Sequence, residues 1–189
     1  MNCASCPKKE CYNGKDCFEN RDEIKKLYPE HEIDLLKTSA TVESKYYMQK
    51  TRIEEIILFS QMMGYKRIGL AFCIGLEKEA SVIQSIFRKH FKVDSACCKI
   101  CGIDKADFDL EKIDKNRNES MCNPIGQASV LNEKNTNLNI IIGLCIGHDL
   151  LFTEHSKAPV TTLVVKDRIL AHNPLGAIYS KYYQDKFSI

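Results

Sequence analysis

No stretch of this chain approaches the roughly 20 consecutive apolar residues that a membrane-spanning helix needs. The opening residues, MNCASCPKKECYNGKDC, lack the apolar centre of a signal peptide. With no visible route into an oxidising compartment, a disulfide framework explains poorly why 189 residues carry ten cysteines, and a reducing cytoplasm is the expected setting. Charge of one sign is missing too. The 27 Lys and Arg nearly balance 25 Asp and Glu, leaving a formal net charge of +2, and there is no long basic run. Electrostatics therefore gives no reason to expect nucleic acid or a membrane surface as a partner. Neither glutamine nor proline is enriched and no segment is of low complexity, so the chain should fold throughout, as one core-bearing domain with a small appendage.

What is abundant is cysteine, in two groups. Cys3, Cys6, Cys11 and Cys17 follow a C-x2-C-x4-C-x5-C pattern. Four thiolates on so short a chain can surround one tetrahedral zinc or an iron-sulfur cluster, because short loops let sulfurs converge without a hydrophobic core behind them. Residues 1–18 are therefore expected to form a metal knuckle with little regular structure.

From 19 to 64 the apolar period is helical. Ile24, Leu27 and Tyr28 recur at helical spacing, Pro29 breaks the run, and Ile33, Leu35 and Leu36 resume it. Ile53, Ile56, Ile57 and Phe59 to Met63 mark a further helix ending at Gly64, so a helical arm is expected, with Tyr46 and Tyr47 packing at a helix crossing.

The period changes after Gly64, and residues 65–189 read as an α/β domain with a small parallel sheet and flanking helices. Lys66–Cys73 is a buried-strand pattern, a helix is expected over 77–90, and Val93–Cys98 is a second strand, which makes a right-handed crossover unit. A charged loop spans 102–120, and Asn123-Pro124 opens a helix by capping and first-turn logic. Asn139–Leu144 and Val160–Lys166 are the third and fourth strands. Ile169–Ala171 is expected as a hairpin edge, and Asn173-Pro174 as the start of the last helix. Lys166, Asp167 and Arg168 read as a solvated turn in preference to an anion-binding role.

Two segments share one grammar: Phe72-Cys73-Ile74-Gly75-Leu76-Glu77 and Leu144-Cys145-Ile146-Gly147-His148-Asp149. Each is a strand end, then Cys-Ile-Gly, then an acidic residue. In an open parallel sheet ligand sites form beyond the carboxyl ends of the strands, and the glycines let the backbone turn there. The second strand ends in Cys97-Cys98, with Cys101 close behind, and Cys122 precedes a helix. Neighbouring strand residues face opposite ways, so Cys98 is assigned to the site and Cys97 to packing. The expected core set is Cys73, Cys98, Cys101, Cys122 and Cys145. His148 is a candidate proton donor, ligand or partner to a ligand, or a helix-capping histidine, and His172 is a weaker candidate. A rival reading makes one thiol a nucleophile or redox group.

The N-terminal cysteine knuckle, Ala71-Phe72-Cys73-Ile74-Gly75-Leu76, Cys98-Lys99-Ile100-Cys101, Met121-Cys122-Asn123-Pro124-Ile125-Gly126-Gln127-Ala128, Gly143-Leu144-Cys145-Ile146-Gly147-His148-Asp149 and Ala158-Pro159-Val160-Thr161-Thr162-Leu163-Val164-Val165-Lys166-Asp167-Arg168 together span nearly the whole chain. In these strings it resembles a family of uncharacterised, cysteine-rich metal-binding proteins, a domain of unknown function. The resemblance implies metal binding and names no reaction. Zinc suits the knuckle, and sulfurs gathered from separate loops suit an iron-sulfur cluster in the core. The expected function is a cytoplasmic metalloprotein whose cluster serves redox or sulfur-handling chemistry on a small-molecule substrate or with an electron-transfer partner. There, Cys98, Cys101, Cys122 and Cys145 are ligands, Cys73 is a ligand or reactive thiol, and His148 moves protons. The competing expectation is a zinc-stabilised binding module or a thiol or metal sensor without catalysis.

Overall fold

The computed structural model describes residues 2–188, which fall into two units, Met1–Tyr47 and Met48–Ile189. The first unit holds a 3-10 turn at Glu10–Asn13, helix α1 (Arg21–Lys25) and helix α2 (Glu30–Tyr46). Pro29 stands at the N-cap of α2, where its fixed φ and missing N–H end one run and admit the next. Val42 is the buried residue of α2, and Tyr47 is exposed at its C-cap rather than packed at a helix crossing.

Helix α3 (Arg52–Met62) opens the second unit through a capping box in which Thr51 and Glu54 each satisfy the other's backbone N–H. It ends at Gly64, whose φ of +70° suits a residue without a side chain. The helical stretch expected over 19–64 is thus divided between the units. The reason is packing: Ile56 and Ile57 of α3 join the core cluster of the sheet.

The sheet is four-stranded and wholly parallel, in the order β2-β1-β3-β4, with β1 at Arg67–Phe72, β2 at Lys92–Cys97, β3 at Leu138–Ile142 and β4 at Val160–Val164. Central strands covered on both faces must be apolar along their length, and the two inner strands obey this. All five residues of β3 are buried, as are the middle four of β1, whereas the edge strands β2 and β4 are only partly covered. Helix α4 (Glu77–Phe87) and α3 pack on one face with Ile68, Leu70, Ile140 and Ile142. Helices α5 (Pro124–Glu133) and α6 (His148–His155) supply Ala128, Leu131 and Phe152 to the other face, with Ala71, Ala96 and Ile141.

β4 stops at Val164, two residues short of the expected end. Ile169–Ala171 is a turn and not a strand, because Asp167 accepts the amides of Ile169 and Leu170 through Oδ1 and its own N–H donates to His172 Nδ1. Short helices α7 (Gly176–Tyr179) and α8 (Lys181–Phe187) follow. Among the described residues no helix is long and apolar enough to cross a membrane.

The strand order has a functional consequence. The chain leaves β1 through α4 toward β2 on one side, and leaves β3 through α6 toward β4 on the other, so the direction of winding reverses between β1 and β3. Such a switch point opens a crevice at the carboxyl ends of the strands.

Candidate functional site

The parallel ladder runs one step past the named strands: the N–H of Cys73 donates to Ile142 O at 3.1 Å and that of Cys98 to Phe72 O at 2.9 Å. Because Phe72 pairs with Cys97, the next residues on each chain, Cys73 and Cys98, stand side by side at the sheet edge. Both are buried, with 7% and 2% of their surface exposed, against the face covered by α5 and α6.

Cys122 arrives from the loop before α5. The Asn123 N–H donates to Cys98 O at 2.7 Å, its Oδ1 caps α5 by accepting from Gly126 N–H at 2.8 Å, and its Nδ2 donates to Ile100 O. One helix cap therefore fixes Cys122 next to Cys98. Below them Gln127, fully buried, donates through Nε2 to Phe72 O at 3.2 Å and Ala96 O at 2.7 Å, tying the ends of β1 and β2 together. Its Oε1 is buried without a hydrogen-bond partner.

The result is a continuous line of contacts, Cys73 to Cys98 to Cys122 to His148. The pKa of the central thiol, Cys98, is held above the ordinary thiol value by its interaction with Cys122, then with Cys73, and by burial. The flanking sulfurs benefit. Cys73 is brought down to about 5 by the Cys98 hydrogen bond, then by the Gly75 backbone N–H and by Lys166, whose Nζ lies 3.4 Å from the sulfur, against the opposing effect of burial. Cys122 is brought down to about 4 by the Cys98 hydrogen bond and then by His148, with Lys99 adding a favourable charge. His148 is correspondingly raised by the Cys122 thiolate. The Ile74 N–H donates to Cys98 Sγ at 3.3 Å. A buried thiol flanked by two thiols of lowered pKa, one with Lys166 Nζ at 3.4 Å and the other beside His148, is an arrangement for nucleophilic sulfur chemistry.

Of the other expected residues, half-buried Cys145 lies 3.0 Å from Arg168 Nη2. Cys101 is exposed, on a backbone with φ of +68°, and does not join the line; Cys97 is half-buried beside the core. The repeated Cys-Ile-Gly grammar proves to be two different loops. Cys73 directly follows β1, and Gly75 belongs to a 3-10 turn at Ile74–Leu76. Cys145 stands three residues beyond β3, and Gly147, with φ of +84°, forms the N-cap of α6. Between them Gly143 has φ of +66° and a Cβ there would collide with the Leu76 side chain, so glycine is required at the switch point.

Lys166 and Arg168 are the residues whose site contacts the sequence did not announce: both point at sulfur, not only at solvent. Gln127 was also silent. A glutamine in the midst of apolar Ile125, Ala128 and Leu131 was the available signal.

In the N-terminal unit Cys3, Cys6, Cys11 and Cys17 are all exposed. The backbone amides of Lys9 and Lys8 bond to Cys6 and lower its pKa, and Cys6 N–H donates to Cys3 O at 3.3 Å. Thiolate and imidazole are donors that zinc and iron-sulfur centres accept. Their placement does not make a metal cage: among the described residues no group of three or more His, Cys, Asp or Glu is disposed to hold a metal ion.

Comparison with known proteins identifies the chain by family and not by reaction. Residues 12–163 match the family described as "Protein of unknown function (DUF1847)". An uncharacterized protein of Methanocaldococcus jannaschii is 56% identical over 188 residues, covering 98% of this chain and 97% of that protein. No solved structure matches.

Proposed function

Since the chain belongs to the DUF1847 family, whose description names no activity, we propose from its own residues that it carries out thiol-disulfide exchange on a small sulfur-bearing molecule, with Cys73 as nucleophile and Cys98 as resolving thiol. The observation that carries this reading is the juxtaposition of Cys73 and Cys98 at the ends of β1 and β2, with Lys166 Nζ 3.4 Å from the Cys73 sulfur. The Cys73 thiolate attacks one sulfur of a disulfide R–S–S–R′. The Cys73–S bond forms, the S–S bond breaks, and its electron pair leaves on R′S⁻. With Cys73 now in the mixed disulfide and no longer opposing the ionisation of Cys98, Cys98 passes its proton to the Cys122 thiolate and attacks the Cys73 sulfur, expelling RS⁻. Two protein thiols are oxidised to one disulfide while R–S–S–R′ is reduced to two thiolates; the proton rests on Cys122, and His148 gives its own proton to a departing thiolate before taking up the one on Cys122. All ten cysteines are free, which suits a reducing compartment such as the cytoplasm.

Neutral hydroxyethyl disulfide tests the sequence of steps. Wild-type protein should release two equivalents of mercaptoethanol and yield a Cys73–Cys98 peptide pair by mass. Cys98→Ser should release one equivalent and keep a mixed disulfide on Cys73. A mixed disulfide on Cys98, or exchange confined to the exposed Cys3, Cys6, Cys11 and Cys17, would rule the assignment out.

A second reading, a cysteine-ligated zinc or iron-sulfur centre serving redox chemistry or sensing, draws support from three sulfurs and an imidazole in one contact line and from the amides aimed at Cys6. It requires the thiols to rearrange from a line into a cage. Metal and acid-labile sulfide analysis of protein prepared without oxygen distinguishes the readings: a stoichiometric, tightly held centre favours this one, and metal-free, fully reduced protein that exchanges disulfides favours the first.

A further inference from the structure

Three basic side chains, Lys99, Lys166 and Arg168, gather at the carboxyl edge of the sheet. Among the described residues, none of the ten ion pairs between Lys or Arg and a carboxylate involves them. Lys166 Nζ faces Cys73 Sγ at 3.4 Å, Arg168 Nη2 faces Cys145 Sγ at 3.0 Å, and Lys99 Nζ donates to the Ser120 carbonyl while acting on Cys122 and His148. Of the carboxylates nearby, Asp149 accepts the Leu150 amide through Oδ1 and acts on His148, Asp167 accepts those of Ile169 and Leu170 through Oδ1, and Glu119 interacts with Lys99. Two cations two residues apart thus leave the end of β4 and reach separate sulfurs across the switch point.

Gly75 lies beside this pair: a Cβ there would make ordinary contact with Lys166 Nζ at 3.6 Å and Cys73 Sγ at 3.9 Å. A guanidinium on a sulfur retains donors for a carboxylate or phosphate, to which its planar fork is matched. The ammonium beside the nucleophile can bind an acid group on the same molecule.

We propose that the site recognises an anionic small molecule, a thiol, disulfide or persulfide bearing a carboxylate or another acid group, and that Arg168 and Lys166 hold that group while the sulfur is presented to Cys73. This rests on the thiol-exchange reading for what happens to the substrate, but the recognition itself is measurable without any sulfur chemistry. Arg168 is a binding residue here, and Lys166 serves both the thiolate and the ligand.

The probe is thiodiglycolate, a dianionic thioether that cannot exchange, titrated calorimetrically at low salt into reduced full-length protein, with the neutral diol thiodiglycol as its match. Saturable binding of the dianion is expected, with the diol at least tenfold weaker. Arg168→Gln and Lys166→Gln should each weaken the dianion at least tenfold, and Arg168→Lys, which keeps the charge without the fork, should recover part of what Arg168→Gln loses. Because Arg168 is exposed at a turn, its variants should fold, and the Lys variant controls for any that do not. Equal binding of dianion and diol, or full affinity in Arg168→Gln, would overturn the proposal. The neutral disulfide assay separates the two ideas. Protein that binds thiodiglycolate but does not exchange keeps the anion site and loses the thiol chemistry, and protein that exchanges without discriminating charge does the reverse.

Discussion

Cys98 is the weakest acid of the three thiols because Cys122, Cys73 and burial oppose its ionisation, whereas Cys73 has an ammonium and a backbone amide beside it and Cys122 an imidazole. A thiol in isolation has a pKa of about 8.5 and is a poor nucleophile at neutral pH. The line of contacts divides one difficult ionisation among neighbours. His148 reports on it. Its imidazolium is stabilised by the Cys122 thiolate, so its folded pKa lies above the ordinary value. A raised pKa of this kind contributes stability that is present in full below the unfolded value near 6.5 and is lost as pH rises through the folded value. The expected result in a proton NMR titration is a His148 midpoint above that of a free histidine, returning toward it in Cys122→Ser. Of these residues, the cysteines and His148 were visible in the sequence by chemistry. Lys166 was read there as solvated, since nothing in a charged triplet after a strand tells which side chain turns inward.

At the scale of elements, the site is made by three segments ending together: β1, β2 and the N-terminus of α5. Asn123 and Gln127 hold them. Asn123→Ala removes the cap of α5 and the bond to Ile100 O, and should cost about 1–2 kcal/mol in denaturant unfolding while slowing disulfide exchange through a displaced Cys122. Gln127→Leu leaves the Phe72 and Ala96 carbonyls short of a buried donor and should cost about 1–3 kcal/mol, less whatever is regained by removing the unpartnered Oε1. The strands were legible because central parallel strands are unbroken apolar runs. The cap at Asn123-Pro124 was legible because its residue types serve few other purposes. The clamp was not, because a buried glutamine is defined by carbonyls dozens of residues away, at Phe72 and Ala96. The Cys-Ile-Gly repeat misled in the same way: three identical residues were placed in a 3-10 turn in one loop and at a helix N-cap in the other, by different distances from the strand end.

On the scale of the whole molecule, both hydrophobic clusters are built from residues beyond 48, and the thiol line lies within the same unit. A fragment of residues 48–189 should therefore unfold cooperatively and retain a reactive Cys73, as circular dichroism and peptide mass mapping would show. The helical boundary lies at 47 rather than 64 because α3 buries its apolar face on the sheet, a tertiary fact that periodicity alone does not contain. The account as a whole stands on Cys73 being a thiolate at neutral pH within a line of shared protons. The most direct measurement is the pH-rate profile of Cys73 alkylation by a neutral reagent, followed by mass at that peptide in wild type and in Cys98→Ala. The expected wild-type midpoint is about 5, moving upward in the variant as the hydrogen bond from Cys98 is lost. A wild-type midpoint at the ordinary thiol value, unmoved by Cys98→Ala, would contradict the account.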